Sequence, residues 1–267
     1  MMSIKLNIKA FLLPLKNTIV IRRNLTSDVT RETKLNVLFI IIGTISSLLF
    51  LPTLTNFAYS QGSNQTVYST DSKPFGVPYQ DWVGKWWNWT SGITTDMHPR
   101  DDPSRSCNVN QNGSVWFLPD ALSIESASNP RICDVPAGKA IFIPVVTGET
   151  DTAEHPDLTD TQIIKQALAC DNYSNNRRAE VDGVSVNGLN DPVTYRTNSS
   201  HLFNVTTVDN NIYNLKPGTE RGFADGWFLF IKPLPIGEHK IHVAGAIDAP
   251  DPNCNSNGDV TWNIHVK

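Results

Sequence analysis

The chain has 267 residues, 40% of them hydrophobic and 18% charged, with a formal net charge of -4. The charge is divided: residues 1–34 carry seven Lys/Arg (Lys5, Lys9, Lys16, Arg22, Arg23, Arg31 and Lys34) against Asp28 and Glu32, a net of +5, which leaves -9 for the rest. An acidic body excludes a nucleic-acid partner, because phosphates demand a basic face, and it favours solubility or cation binding.

Behind the basic leader 1–34, the apolar run Leu35–Leu51 carries no charge and ends shortly before Ala58-Tyr59-Ser60. Basic, apolar and small-polar segments in that order make a secretion signal. Residues 35–60 are therefore expected to be a signal peptide cleaved after Ser60, or else an uncleaved anchor, since such a run reaches the lower limit for crossing a bilayer. In both cases the body is exported, secreted or held at the cell surface, and membrane contact is confined to residues 35–51. Residues 61–74 are small and polar and read as a flexible spacer. Residues 75–267 suffice for a single domain with one substantial core.

In that domain Pro78 opens a short amphipathic helix in which Tyr79, Trp82, Val83, Trp86 and Trp89 recur at helical spacing. From Val115 onward come short β-branched and aromatic runs closed by Gly, Pro, Asn or Asp, which predict strands at 114–118, 139–147, 179–181, 184–186, 201–208, 226–233, 239–247 and 259–267. Asp182-Gly183 predicts a two-residue hairpin. A second helix is expected to start at Thr159, where Thr159 and Gln162 form a capping box ahead of Ile163, Ile164, Ala167 and Leu168. Strands without βαβ alternation make the class mainly β: an antiparallel β-sandwich of jelly-roll type with two short helices packed on it.

Cys107, Cys133, Cys170 and Cys254 contain no C-x-x-C pair. In an exported chain an even count reads as two disulfides. Spacing does not choose among the three connectivities; Cys107–Cys133 with Cys170–Cys254 is the one favoured. Sequons at Asn64, Asn88, Asn112, Asn172, Asn198 and Asn204 offer glycosylation sites, although a glycan on Asn88 would crowd the tryptophans.

No serine-hydrolase elbow, zinc-protease, phosphate-loop or EF-hand signature is present. Four constellations remain. Glu149, Asp151, Glu154, His155, Asp157 and Asp160 bring five carboxylates and an imidazole together; Glu149, Asp151, Glu154 and Asp157 are the candidate calcium ligands, set against a solvated acidic loop whose Asp160 favours a helix N-terminus. The tryptophans of the first helix are expected to press one face into the core and leave only Trp87 or Trp89 outside as a stacking platform for sugars. His242 and His265 fall on the outer face if the last two strands pair, where a cross-strand imidazole pair would supply two metal ligands. Arg221 and Asp225 stand ahead of an apolar strand with Tyr195-Arg196 upstream, and read either as an internal ion pair holding loops or as ligand-binding residues.

Trp82-(x3)-Trp86-Trp87-x-Trp89, Cys107-(x3)-Gln111-x-Gly113-x-Val115-Trp116-Phe117-Leu118 and Arg131-x-Cys133-x-Val135-Pro136-Ala137-Gly138-Lys139-Ala140 resemble a family of exported bacterial and archaeal proteins without an assigned activity. Ala224-Asp225-Gly226, Pro233-Leu234-Pro235-x-Gly237-Glu238-His239 and Asp259-Val260-Thr261-Trp262 extend the resemblance, so that it covers about residues 76–267. It implies pairing of Cys107 with Cys133, which flank the shared Val-Trp-Phe-Leu strand, and it implies no catalytic residue. The function expected is a binding or structural module at the cell surface, with an extracellular glycan or cell-surface component as partner. The alternative is an extracellular hydrolase that uses the 149–160 carboxylates with calcium.

Overall fold

The computed structural model describes residues 66–120 and 130–267. The leader, the signal or anchor segment 35–60 and residues 61–65, Asn64 among them, lie outside them; residues 66–74 of the expected spacer are instead packed on the domain, Val67 being 3% exposed and bridged to Ile231 while the Tyr68 N–H donates to the Phe230 carbonyl at 2.8 Å. The elements in chain order are α1 (Asp81–Ser91), β1 (Val115–Phe117), β2 (Arg131–Val135), β3 (Ala140–Asp151), α2 (Asp160–Asp171), β4 (Ser174–Val181), β5 (Val184–Ser185), β6 (Phe203–Thr207), β7 (Gly218–Ile231), β8 (Gly237–Ile247) and β9 (Ser256–Val266).

Among the described residues nine strands form two sheets, one ordered β1-β3-β7-β6 and the other β2-β9-β8-β4-β5. The fold is mainly β and sandwich-like with two short helices, as its alternating apolar runs require. It is not antiparallel throughout. β1 runs parallel to β3 and β2 parallel to β9, each at a sheet edge. β2 was not predicted, and its alternating burial shows how short the signal was: Cys133 and Val135 face in while Ile132 is exposed. β7 extends eight residues further toward its N-terminus than the predicted start at Gly226.

Alternation along β7 explains the layers. Trp227, Leu229 and Ile231 pack between the sheets with Ile241, Val243, Trp262 and Ile264, while Phe228 and Phe230 face the opposite way against α1. The first sheet is thus covered on both faces, which is why β7 reads as a continuous apolar run. Tyr79, Val83 and Trp86 of the α1 region complete the second cluster with Phe142, Phe228 and Phe230. α2 extends the layer opposite α1, with Ile163 and Ala167 against Phe223.

Pro144 lies inside β3, and the β3–β7 register shifts between Pro144 and Val146. Proline cannot donate to the ladder, and a bulge absorbs it. The consequence is a change of parity. Phe142 faces α1 before the bulge, Val145 and Val146 both enter the inter-sheet core, and beyond it the odd-numbered Glu149 and Asp151 come to the α1 side.

Both favoured disulfides are present, Cys107–Cys133 with Cα atoms 5.6 Å apart and Cys170–Cys254 at 5.3 Å. They point to an oxidising compartment. Thr159 caps α2, its N–H and hydroxyl both donating to Gln162 Oε1 at 2.9 and 2.7 Å. Asp182 and Gly183 both take positive φ, 53° and 76°, as a primed hairpin turn requires. Among the described residues no helix is long and apolar enough to cross a membrane.

Candidate functional site

Two concave features adjoin α1, one on either side of it. The larger is a groove of about 930 Å³ along its outer face. Trp82, Phe117 and Phe203 give it aromatic walls, and Lys85, Asn112 and His201 reach its rim. Trp82 is half-buried, edge-on to Phe230 at 5.4 Å, tilted against Phe117 at 6.3 Å, with the Lys85 ammonium 5.7 Å from its ring centre. These contacts fix its plane. α1 approaches β6 closely enough that a Cβ on Gly84 would stand 2.8 Å from Phe203 Cγ, so the groove floor depends on that glycine. The Asn88 amide spans the same junction, donating to the Gly84 and Asn204 carbonyls while its oxygen accepts the Thr206 N–H.

Asp81, Ser200 and His201 meet in this groove, but in the wrong order for nucleophilic catalysis. The Ser200 hydroxyl lies between the two others, donating to Asp81 Oδ1 and sitting 2.7 Å from His201 Nδ1. A catalytic triad places the imidazole between serine and carboxylate. Here the serine proton is already committed to Asp81.

The tryptophan platform is corrected by the structure: Trp87 and Trp89 are 8% and 6% exposed, so neither is left outside. Trp89 donates its Nε1 hydrogen to the Val109 carbonyl at 3.0 Å and Trp86 donates to Leu118 at 2.8 Å. Both Trp89 and Trp82 line the groove, and the more exposed ring is that of Trp82. Its place at the first turn, ahead of Trp86 on the apolar stripe, read as core because spacing shows a face and not where the covering sheet ends.

The smaller feature is a chamber of about 140 Å³ lined by Trp87 and Ser91 of α1, Glu149 and Asp151 of β3, Glu154, and Tyr213, with Val205 and Leu215 as apolar walls. Glu149 is partly exposed as a residue, yet its Oε1 is buried and has no hydrogen-bond partner. Burial raises its pKa well above the ordinary value, and Asp151 and Glu154 push in the same direction. Its carboxyl leans on the backbone of β7, where a Cβ on Gly222 would fall 2.1 Å from Oε1. Asp151 Oδ1 accepts the N–H groups of Ala153 and Glu154 at 2.8 and 2.9 Å.

The calcium expectation is corrected too. Three of the four candidate ligands line this chamber, but Asp157 is exposed outside it, and among the described residues no three His, Cys, Asp or Glu side chains are placed to hold a metal ion. Asp160 instead pairs with Arg221 at the surface, both half exposed. The final strands do pair, yet His242 stands opposite Thr261 and His265 opposite Glu238, so the imidazoles are not cross-strand neighbours. His242 bonds Asp259 and His265 bonds Asp134 and Glu238.

Asp225 belongs to an internal brace, not to a surface site. Arg196 donates to its Oδ2 through Nε at 2.8 Å and Nη2 at 2.6 Å, and the Arg196 and Arg177 guanidiniums lie over the Trp227 ring at 5.2 and 3.9 Å. Asp171 is fully buried beside this pair, neither oxygen partnered; desolvation and then Asp225 raise its pKa well above the usual carboxylate range. Asn112, Asn172, Asn198 and Asn204 are exposed, and Asn112 stands on the groove rim.

No family model matches the chain, and no curated protein matches it. Among solved structures, the solution structure of amebosin aligns with 58% of this chain and 100% of its own at 12% identity and a TM-score of 0.18, a likeness that carries no argument.

Proposed function

We propose that this is an exported binding module of the cell surface or its surroundings, and that the groove along α1 receives an extracellular saccharide. The observation that carries the reading is the partly exposed Trp82 ring held among Phe117, Phe230 and Lys85 inside a groove of about 930 Å³. A pyranose presents an apolar C–H face and a rim of hydroxyls. An indole of fixed plane takes the first, while amides, an ammonium and an imidazole at the rim take the second. The two disulfides and the acidic body suit export, and the secretion signal read at residues 35–60 supplies its route.

The test is a titration of the full chain against neutral and acidic oligosaccharides, followed by tryptophan fluorescence. Binding is expected to perturb the emission, and Trp82→Ala and Lys85→Ala are each expected to weaken it. Absence of binding across the panel refutes the reading. Asn112→Gln controls for occupation of the groove by the protein's own glycan, since Asn112 is both a sequon and a rim residue.

A further inference from the structure

The chamber behind α1 is independent of the groove, and its composition is selective. Glu149, Asp151 and Glu154 line it, and no lysine or arginine does. A carboxylate cluster alone would be an electrostatic liability. This one is joined by two buried polar atoms that lack partners, Glu149 Oε1 and Trp87 Nε1. Trp87 is more than nine-tenths buried, so its N–H has no solvent to turn to. Trp87 and Tyr213 also form an aromatic corner, their centroids 5.9 Å apart at 40°.

Each feature restricts the occupant. Carboxylates and aromatic faces both attract cations. A bare metal ion needs several short ligands, and no such set is gathered here among the described residues. The orphan donor, Trp87 Nε1, requires an oxygen acceptor on the same ligand. The volume of about 140 Å³ has room for roughly four or five water-sized groups.

We propose that the chamber binds a small organic cation that also carries an oxygen acceptor, a short amino alcohol being its simplest form. The ammonium meets Glu149, Asp151 and Glu154, and the oxygen accepts from Trp87 Nε1. Gly222 is part of the design, because any side chain there would displace the Glu149 carboxyl.

Calorimetric titration of the full chain at neutral pH, with four probes, tests this. Ethanolamine has both features, propylamine lacks the oxygen, ethylene glycol lacks the charge, and calcium chloride represents a metal. Ethanolamine is expected to bind one site per chain, propylamine about tenfold more weakly, and glycol and calcium without measurable heat. Glu149→Gln and Trp87→Phe are each expected to weaken ethanolamine about tenfold with the circular dichroism of the parent; Lys85→Ala is expected to leave it unchanged. Should Trp87→Phe fail to fold, the ethanolamine–propylamine difference still tests the oxygen contact. No heat with millimolar ethanolamine, equal binding of glycol, undiminished binding in Glu149→Gln, or preference for calcium would each overturn the proposal.

Discussion

Acidification should destabilise this domain through His98. The side chain is fully buried, in the loop after α1. Its Nδ1 accepts the Arg100 N–H at 3.1 Å, and Nε2 lies 2.9 Å from the Thr90 hydroxyl. An Nδ1 that accepts a backbone N–H cannot also carry a proton, so the folded state demands the neutral ring protonated on Nε2. Burial, and next the Arg100 guanidinium, lower its pKa from 6.5 to about 4, with Asp101 opposing. The folded value is depressed, so the stabilisation is complete above the unfolded pKa of 6.5 and is lost as pH falls toward about 4. A difference of that size corresponds to about 3 kcal/mol, a substantial part of a margin of ~5–15 kcal/mol. Glu149 and Asp171 act in the opposite sense: their folded values are raised, so their contribution is greatest below the unfolded carboxyl pKa and declines as pH rises. The assay must therefore compare proteins, not pH values alone. Urea unfolding followed by tryptophan fluorescence, in steps from about pH 7 to about pH 4, should show the gap between parent and His98→Asn closing by about 3 kcal/mol. Asparagine keeps an acceptor for Arg100 without a titrating ring. A constant gap across that range would refute the assignment of His98 as a buried neutral histidine.

Trp86→Ala should destabilise the domain by ~3–5 kcal/mol through lost burial and about 1 kcal/mol more because the Leu118 carbonyl loses its donor; a parent-like urea midpoint would contradict this. Gly84→Ala should be destabilising despite its gain in helix propensity, because the new Cβ meets Phe203 at 2.8 Å, an overpacking typically worth ~1–3 kcal/mol, with loss of groove binding as a second readout. Asp171→Asn removes a buried carboxyl without partners, so its stability should decline less than the parent's as pH rises above the unfolded value of 3.8; parallel pH curves would count against it. Thiol labelling of denatured, unreduced protein should modify none of the four cysteines, and more than one label per chain would break the disulfide framework.

By itself the sequence determined those features that arise from periodicity and local chemistry. Alternating β-branched runs gave most strands, the Thr159–Gln162 pair marked the start of α2, Asp182-Gly183 its hairpin, and an even count of cysteines two bridges. Each of these depends on neighbours along the chain, so one sequence carries the signal. The parallel edges β1–β3 and β2–β9 were not legible, because pairing direction is a relation between distant segments and leaves no local pattern. Tertiary structure also decided how far each tryptophan is enclosed. Trp82, Trp86 and Trp89 share helical spacing, and only the covering sheet and loops leave Trp82 half-buried while they enclose the other two. The acidic stretch shows the division most clearly. Composition identified Glu149, Asp151 and Glu154 as a cluster, but the bulge at Pro144–Val146 shifts the parity of β3 and turns Glu149 and Asp151 toward Trp87, while Asp157 stays outside. A one-residue shift in a strand exchanges its faces, and that is why proximity in sequence named the residues while only the fold made them a chamber.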